Sequence, residues 1–442
     1  MTGETWMDVK LSEIIDVKHG FAFPGENIRE EPPGEILLTP GNFAVGGGFK
    51  SDKYKYFDGQ VPEEYVLHEN DLIVTMTDLS KQADTLGYPA LVPKPQHFRY
   101  LHNQRLGKVI IRDGAKVDKR FISYLLRTPE YRHEILASAT GTTVKHTSPS
   151  RILAFKTSIP PMPEQRAIAR ILGTLDDKVE LNRRMNETLE AMARALFRSW
   201  FVDFDTIRGK AEGRDTGLPK PLADLFPDSY EDSELGEIPK GWEVKPLSEL
   251  CTLGRGASPR PINDYMNGEI PWVKIADATA AGGPFLFETK ERLKTAGVGK
   301  SVTVSPGDLI LSNSATCGIP MFVELHGCIH DGWLYFKNLR SISKLYLFHV
   351  LIELAEHLVH IADGSVQKNL NTELVGRQYV LVPPQAVVAA FDNQTTTLFT
   401  KMRDNGIESR TLAALRDTLL PKLISGELRI KNAARIIVEG SA

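Results

Sequence analysis

The chain has 442 residues, a formal net charge of −3, 42% hydrophobic and 25% charged residues, the balance of a soluble cytoplasmic protein about three domains long. No apolar run reaches the ~18 residues of a membrane-spanning helix, and the start MTGETWMDVKLSE carries no secretory signal. Three cysteines (Cys251, Cys317, Cys328) without a C-x-x-C spacing argue against a disulfide framework or a cysteine zinc site, and the charge balance argues against a histone-like binder while leaving room for a local basic face.

In chain order, the first half opens with short apolar runs between Gly, Pro and Asp turns, such as Leu72-Ile-Val74 and Lys108-Val-Ile-Ile111, which predict strands. A helical segment follows at Lys119 to Ser138, apolar at 3.6-residue spacing. After Pro160-Pro161-Met-Pro163 a long helix is predicted, because prolines end a strand and can open a helix. Residues 206–241 are rich in Gly, Pro and acid, with Asp224, Asp228, Glu231, Asp232, Glu234 and Glu237 and no Lys or Arg between 221 and 238. They predict a connector or loosely docked loop.

The pattern then begins again. Trp6-Met-Asp-Val-Lys-Leu-Ser-Glu-Ile14 returns as Trp242-Glu-Val-Lys-Pro-Leu-Ser-Glu-Leu250, Gly34-Glu-Ile36 as Gly268-Glu-Ile270, and Asp71-Leu-Ile73 as Asp308-Leu-Ile310, at offsets of 234 to 237. Late in each half the offset settles at 223, where Gly141-Thr-Thr-Val-Lys-His146 matches Gly364-Ser-Val-Gln-Lys-Asn369 and Ile159-Pro-Pro161 matches Val382-Pro-Pro384. Several short matches in one order mark an internal repeat, and the change of offset marks loop variation. Copy two accordingly has a strand at Leu309-Ile-Leu311, a helix from Lys344 to Ala362, and a long helix after Pro383-Pro384.

The long helices carry heptad-like seams. Copy one reads Ile168, Leu172, Leu175, Val179, Asn182, Asn186, Leu189, Ala193, Leu196, Trp200, and copy two reads Phe391, Thr395, Leu398, Met402, Asn405, Ser409, Leu412, Arg416, Leu419, Leu423. Antiparallel, in-register pairing makes partner numbers sum to ~591, setting Asn182 against Ser409, Asn186 against Asn405, Ile168 against Leu423 and Trp200 against Phe391. Polar then meets polar and the central amides satisfy each other. A parallel pairing also matches polar with polar; the repeat and the connectivity favour the antiparallel choice.

Charge is segregated in copy one. Residues 1–93 hold 7 Lys+Arg and 16 Asp+Glu, whereas residues 94–156 hold 13 and 4. If folding preserves that separation, one face suits a polyanion; otherwise it is an ordinary solvated surface, and residues 286–381 of copy two, with nine of each sign, show no such bias. Candidate DNA-contacting residues are Lys50, Lys53, Tyr54, Lys55, Tyr56, Arg99, Tyr100, Asn103, Gln104, Arg105, Lys145 and His146 in copy one. In copy two they are Arg255, Arg260, Lys274, Lys290, Arg292, Lys294, Lys368 and Asn369. Arg, Asn and Gln can grip base edges with two hydrogen bonds, while Lys mostly meets phosphate. The repeated Gly-[Ser/Thr]-x-x-Lys-[His/Asn] loop can hold a phosphate or can be a helix-terminating turn. Base reading is better placed in segments that differ between copies, 42–58 and 76–105 against 255–267 and 276–300.

Catalytic constellations are missing: no Walker A, no dinucleotide fingerprint around Gly254-Arg-Gly256, and no Asn/Asp-Pro-Pro-Tyr/Phe. No catalytic, cofactor-binding or metal residue is expected. Asp228 with Glu243 and Lys245 spells a metal-dependent nuclease pattern, an alternative weakened by the place of Asp228 in the acidic connector.

Ile159-Pro-Pro-Met-Pro-Glu-Gln165, the helix end Leu196-Phe-Arg-Ser-Trp-Phe-Val-Asp-Phe-Asp205 and Leu235-Gly-Glu-Ile-Pro-Lys-Gly-Trp242 closely resemble the specificity subunit of type I restriction–modification enzymes. So do Asn267-Gly-Glu-Ile-Pro-Trp272, Pro306-Gly-Asp-Leu-Ile310 and Leu420-Pro-Lys-Leu-Ile-Ser-Gly-Glu-Leu428, although Pro384-Gln385 lacks the Glu of Pro163-Glu-Gln165. The resemblance implies an α/β (α+β) fold: two mixed target-recognition domains joined by two long antiparallel coiled-coil helices in a pseudo-two-fold repeat. The expected division is residues 1–160 (first domain), 161–205 (spacer helix), 206–241 (connector), 242–383 (second domain), 384–430 (second spacer helix) and 431–442 (tail). It further implies a non-catalytic subunit reading a bipartite, asymmetric site in double-stranded DNA, or a specificity module of another DNA-modification system. Two adenine-N6 methyltransferase subunits using S-adenosylmethionine and two translocase-restriction subunits using ATP and Mg would be its partners, with no cofactor in this chain. A helix from 168 to 202 spans about 52 Å at ~1.5 Å per residue, some 15 base pairs of B-DNA at ~3.4 Å each, and would act as a ruler between half-sites.

Overall fold

The computed structural model describes residues 6–51, 53–80, 82–95, 97–314, 316–362 and 369–430. The chain divides into two compact units, Met1–Val179 with Thr411–Ala442, and Glu180–Arg410. Two helices, Met162–Phe201 and Gln385–Ile424, are each 40 residues long and contribute to both units. They occupy equivalent places in the repeat, 223 residues apart at both ends. Among the described residues no helix is long and apolar enough to cross a membrane.

Unit 1 is built on two sheets. One orders strands Ile15–His19, Leu106–Ile111, Leu72–Thr75 and Pro89–Leu91, all antiparallel. Leu72, Ile73 and Val74 are fully buried, which explains their unbroken apolar run: this inner strand is covered on both faces. The second sheet orders Ile28–Arg29, Lys55–Phe57, Glu35–Leu37, Tyr100–Leu101 and Val66–Leu67. Met7–Lys10 pairs antiparallel with Lys156–Ile159, tying the start of the unit to the strand that feeds the long helix. The helix expected over 119–138 is two, Lys119–Leu125 and Pro129–Ser138. Pro129 has no N–H to continue the first, and Thr128 caps the second through Tyr131 N.

Unit 2 repeats this plan. Strands Thr252–Arg255, Trp333–Lys337, Asp308–Ser312 and Pro320–Val323 follow one another as their counterparts do, with Phe285–Leu286 added at the edge. Glu291–Leu293, Met266–Val273, Gly327–Ile329 and Val302–Val304 form the other sheet, and Glu243–Pro246 pairs with Tyr379–Val382 as Met7–Lys10 does with Lys156–Ile159. Residues 206–241 are no loose connector. They form helices Asp205–Ala211 and Lys220–Ala223 and the hairpin Tyr230–Ser233/Gly236–Pro239, and bury Ile207, Phe226 and Ile238 in the main core of the unit. The hairpin keeps its acids outward: Glu231, Asp232, Glu234 and Glu237 are exposed.

The seam is described within each unit. In unit 1, Ile168, Leu172 and Leu175 share a core with Leu419 and Leu423, with Leu412 partly buried at its edge and Val179 half-buried. Arg416, at a seam position, turns to Asp176: its Nη1 donates to Oδ1 at 2.7 Å, while Arg127 Nη1 and Tyr124 OH donate to Oδ2 at 2.9 and 2.8 Å. In unit 2, Asn405 Nδ2 donates to Asn186 Oδ1 at 2.8 Å and Asn186 Nδ2 to the Met402 carbonyl at 3.1 Å. Asn182 Nδ2 donates to Ser409 Oγ at 3.3 Å and Glu408 Oε2 at 2.7 Å. Trp200 meets Phe391 edge-on at 6.2 Å, and Leu189, Ala193, Leu196, Thr395, Leu398 and Met402 line the remainder as buried or partly buried residues. Partner numbers of Asn182 with Ser409, Asn186 with Asn405 and Trp200 with Phe391 each sum to 591, so the helices run antiparallel inside this unit.

His349, on the helix Lys344–Ile361, sits among Phe197, Phe348, Phe391 and Phe399 at ring distances of 5.2 to 5.7 Å. Neither ring nitrogen has a hydrogen-bond partner among the described residues. Burial, with Arg194 adding to it, pushes its pKa down to about 4. The unfolded chain therefore binds a proton that the folded one refuses between pH 6.5 and 4, so this site lowers stability as pH falls through that window, by about 3 kcal/mol in all. His349→Phe should flatten the acid limb of a denaturant-melt stability profile of the full chain; an unchanged limb would refute the assignment.

Candidate nucleic-acid interface

Folding offsets part of the charge segregation, because basic side chains of residues 94–156 lie beside acidic ones of residues 1–93. Lys108 pairs with Asp71 at 2.6 Å and Arg112 with Asp16 at 2.6 Å, while Lys55 pairs inside the acidic segment with Glu30 at 3.0 Å. Arg99, far from being a free reader, clamps Glu35 and Glu63 at 2.8 and 2.7 Å. The aromatics between them are packing residues: Tyr100 is buried, with Phe49, Tyr54 and Tyr56 against the same core. Burial and the Tyr100 hydroxyl raise the Tyr54 pKa. Lys50 and Lys53 are exposed, but their carbonyls are held by Asn42 Nδ2, so their loop is shaped from within.

The other candidates of copy one converge on one corner of unit 1. Strand Ile15–His19 runs into Gly20, whose N donates to the Leu106 carbonyl at 3.2 Å, and Phe21 N donates to the His102 carbonyl at 2.8 Å. Gln104 N returns a bond to the Phe21 carbonyl at 2.8 Å, and Asn103 Oδ1 accepts from Arg105 N at 3.1 Å. This turn displays Gln104 and Arg105 to solvent, and neither side chain has a partner among the described residues. Met76 N donates to the Arg105 carbonyl at 2.9 Å. Beside it, Thr77–Asp78 pairs with Lys145–His146, and Thr77 Oγ1 lies 3.2 Å from His146 Nδ1. The repeated Gly141 loop is a turn closed by mutual Thr140–His146 backbone bonds, with Gly141 at φ +92°, a conformation suited to glycine. Its phosphate-holding reading gains no support from that geometry.

Unit 2 repeats three of these four backbone bonds; the Ala257 carbonyl, in the place of that of Phe21, accepts from Ser301 Oγ at 2.6 Å instead. Gly256 N donates to the Trp333 carbonyl at 2.8 Å, Ala257 N to the Ile329 carbonyl at 3.2 Å, and Asn313 N to the Gly332 carbonyl at 2.9 Å. Ser314 forms a bridge with Asn369 where Thr77 meets His146; Lys368 and its loop from Gly364 lie outside the described residues. By this equivalence His19 corresponds to Arg255, Asn103 to His330, Gln104 to Asp331 and Arg105 to Gly332.

The side chains differ sharply. Arg255 Nε donates to the Asp331 carbonyl at 2.7 Å, and Arg260 approaches Asp331 Oδ2 at 4.0 Å. Asp331 Oδ1 accepts from Ser258 Oγ at 2.7 Å and lies 2.8 Å from His330 Nε2. Gly332 N donates to His330 Nδ1 at 2.8 Å, fixing the ring as the neutral Nε2–H form. Burial holds the His330 pKa down. Asp331 is held below the usual carboxylate range despite burial, by Ser258, His330 and Arg255. Ser258 bonds the carboxylate and not the imidazole, so the serine–histidine contact of a catalytic triad is not formed here. Lys274 packs over Trp272 at 4.8 Å and pairs with Glu291 at 2.6 Å, while Trp272 meets His330 edge-on at 5.3 Å. Lys290, Arg292 and Lys294 stand apart on the Glu291–Leu293 edge, where Arg292 and Lys294 donate to the Glu269 and Asp264 carbonyls at 2.9 and 3.0 Å.

Sequence reasoning missed His19, Ser258, Ser314, His330 and Asp331; the signal was available in Gly20 and Gly256, which share the 236-residue offset of the Trp6 and Trp242 strings. The nuclease pattern gains no support: Glu243 and Lys245 pair with each other on one strand, and Asp228 Oδ1 takes Ser229 Oγ at 3.3 Å.

Comparison with known proteins agrees with the repeat. The chain is 29% identical over 354 residues to the type I restriction enzyme HindI specificity subunit of Haemophilus influenzae, covering 68% of this chain and 75% of that one. It is 25% identical over 442 residues to the MjaIX specificity subunit of Methanocaldococcus jannaschii, covering 96% and 94%. The crystal structure of a type I restriction-modification S subunit from M. genitalium shares the fold, with a TM-score of 0.56 and 17% identity over 96% of this chain and 97% of that one. A family model described as the type I restriction modification DNA specificity domain matches residues 3–191 and 239–398. With most of its length so matched, in two stretches that carry the two corners, the chain belongs to that specificity family.

Proposed function

We propose that the chain is the sequence-reading subunit of a type I restriction–modification assembly. Unit 1 reads one half of a bipartite, asymmetric site in double-stranded DNA and unit 2 reads the other. One observation carries this reading: two units hold the same backbone corner with different side chains, His19, Asn103, Gln104 and Arg105 against Arg255, His330 and Asp331. A shared frame with unlike side chains is what two different half-sites require. Chemistry is left to partners: two adenine-N6 methyltransferase subunits supplied with S-adenosylmethionine, joined for cleavage by two ATP- and Mg-dependent translocase subunits, with the assembly working in the cytoplasm.

The test is methylome sequencing of cells that carry the chain with its methyltransferase partner, alongside retention of duplex DNA by the purified complex across a salt series. The expected result is one methylated motif of two unlike half-sites, and specific retention that falls steeply with salt as phosphate contacts are lost. Absence of any motif, or salt-insensitive retention, would overturn the proposal.

A further inference from the structure

Resting on that reading and deepening it, we infer that the unit 2 corner reads a G·C base pair, with Arg255 gripping the guanine and Asp331 the cytosine. Arg255 ends strand Thr252–Arg255 and is exposed. Its Nε is spent on the Asp331 carbonyl at 2.7 Å, which fixes the guanidinium plane. Both terminal nitrogens are without partners among the described residues. A fork oriented in advance, with two parallel donors outward, matches the N7 and O6 acceptors that guanine presents in the major groove.

The carboxylate beside it chooses between a base and a phosphate. Asp331 Oδ1 is occupied by Ser258 and His330, whereas Oδ2 has only Arg260 at 4.0 Å, and the side chain is 34% exposed. An ionised carboxylate repels a phosphate but accepts a hydrogen bond from the N4 amino group of cytosine. Ser258 and His330 also hold its plane, so donor fork and acceptor stand together as the edge of a G·C pair demands. Arg260, 74% exposed, is left for the neighbouring backbone. At the same positions unit 1 carries His19 and Gln104, which offer neither a guanidinium fork nor a carboxylate, so the two half-sites differ here.

The experiment selects duplexes bound by the full chain in its methyltransferase complex from a pool randomised across both half-sites. Wild type, Arg255→Lys and Asp331→Asn are compared. Wild type should enrich a site with a G·C pair that both variants blur, roughly tenfold in preference, within one half-site only and with an unchanged salt slope. Replacing that guanine by 7-deazaguanine should weaken wild-type binding and leave Arg255→Lys nearly unaffected. Weakening by Arg255→Lys that is uniform on every sequence and blurs no position marks a phosphate contact and overturns the inference, as does a blurred position that is not G·C. If wild type enriches a bipartite site that neither variant alters, this inference fails alone; if wild type enriches nothing, the proposed function fails with it.

Discussion

Replacing Asp176 by alanine should cost unit 1 about 3 kcal/mol, the lower end of what breaking a buried ion pair does, and lower its unfolding temperature by roughly 6–12 °C. The carboxylate is the one acceptor shared by Arg127, Arg416 and Tyr124. Its side chain is 24% exposed, and those of Arg127 and Arg416 are 9% and 20%. Burial alone would raise the Asp176 pKa, but Arg127 and Arg416 hold it below the usual carboxylate range. Removing it leaves Arg127 and Tyr124 without their acceptor and Arg416 with Asp417 alone, whose Oδ1 its Nε and Nη2 reach at 2.8 and 2.7 Å. Asp176→Asn keeps one oxygen but turns an amide N–H toward a guanidinium, so it should recover only part of the loss. Arg416→Ala should cost less in the Asp176→Ala background than in wild type, since the more buried of its two carboxylate partners is already gone. Calorimetry of the full chain and of the double variant checks this; additive losses would show that the three donors do not act through Asp176.

Some of this fold is legible in the sequence because it rests on periodicity. Both long helices begin directly after a Pro-Pro pair, and antiparallel in-register pairing of their equivalent seams sets Asn186 against Asn405. A polar residue in an apolar seam has few ways to be satisfied, so it fixes register more firmly than any leucine. Residues 206–241 were harder to read because their apolar anchors, Ile207, Phe226 and Ile238, are too widely spaced to form a period, while the acids between them face water. Charge counts overstate the free basic surface for a related reason. A run of basic residues describes the chain, not its partners, and strand pairing laid Lys108 beside Asp71 and Arg112 beside Asp16. The corners are visible only when two copies are laid on each other, since the functional groups arrive from four separate segments in each unit.

Gly256→Ala should erase sequence discrimination in one half-site while leaving the other intact, and Gly20→Ala should do the converse. Neither glycine has a positive φ, so neither is needed for backbone conformation. Their role is clearance. A Cβ on Gly256 would fall far inside van der Waals contact of the His330 carbonyl oxygen, and one on Gly20 inside that of the Asn103 carbonyl oxygen. Neither obstacle is a side-chain tip that can swing away; each belongs to the turn carrying His330 and Asp331, or Asn103 to Arg105. The added methyl must therefore push the reading turn outward, moving hydrogen-bonding groups that need placement to within about half an ångström. Overpacking of this kind costs about 1–3 kcal/mol, too little to unfold a unit with its own extended core, so loss of discrimination should precede loss of fold. Gly25→Ala and Gly283→Ala are the matched controls, one in each unit, because nothing lies within 4 Å of a Cβ at either. Duplex selection with the assembled complex reads all four variants. Full discrimination retained by Gly256→Ala and Gly20→Ala would place recognition elsewhere in the units, and equal blurring of both half-sites by either one would deny the units their separate reading.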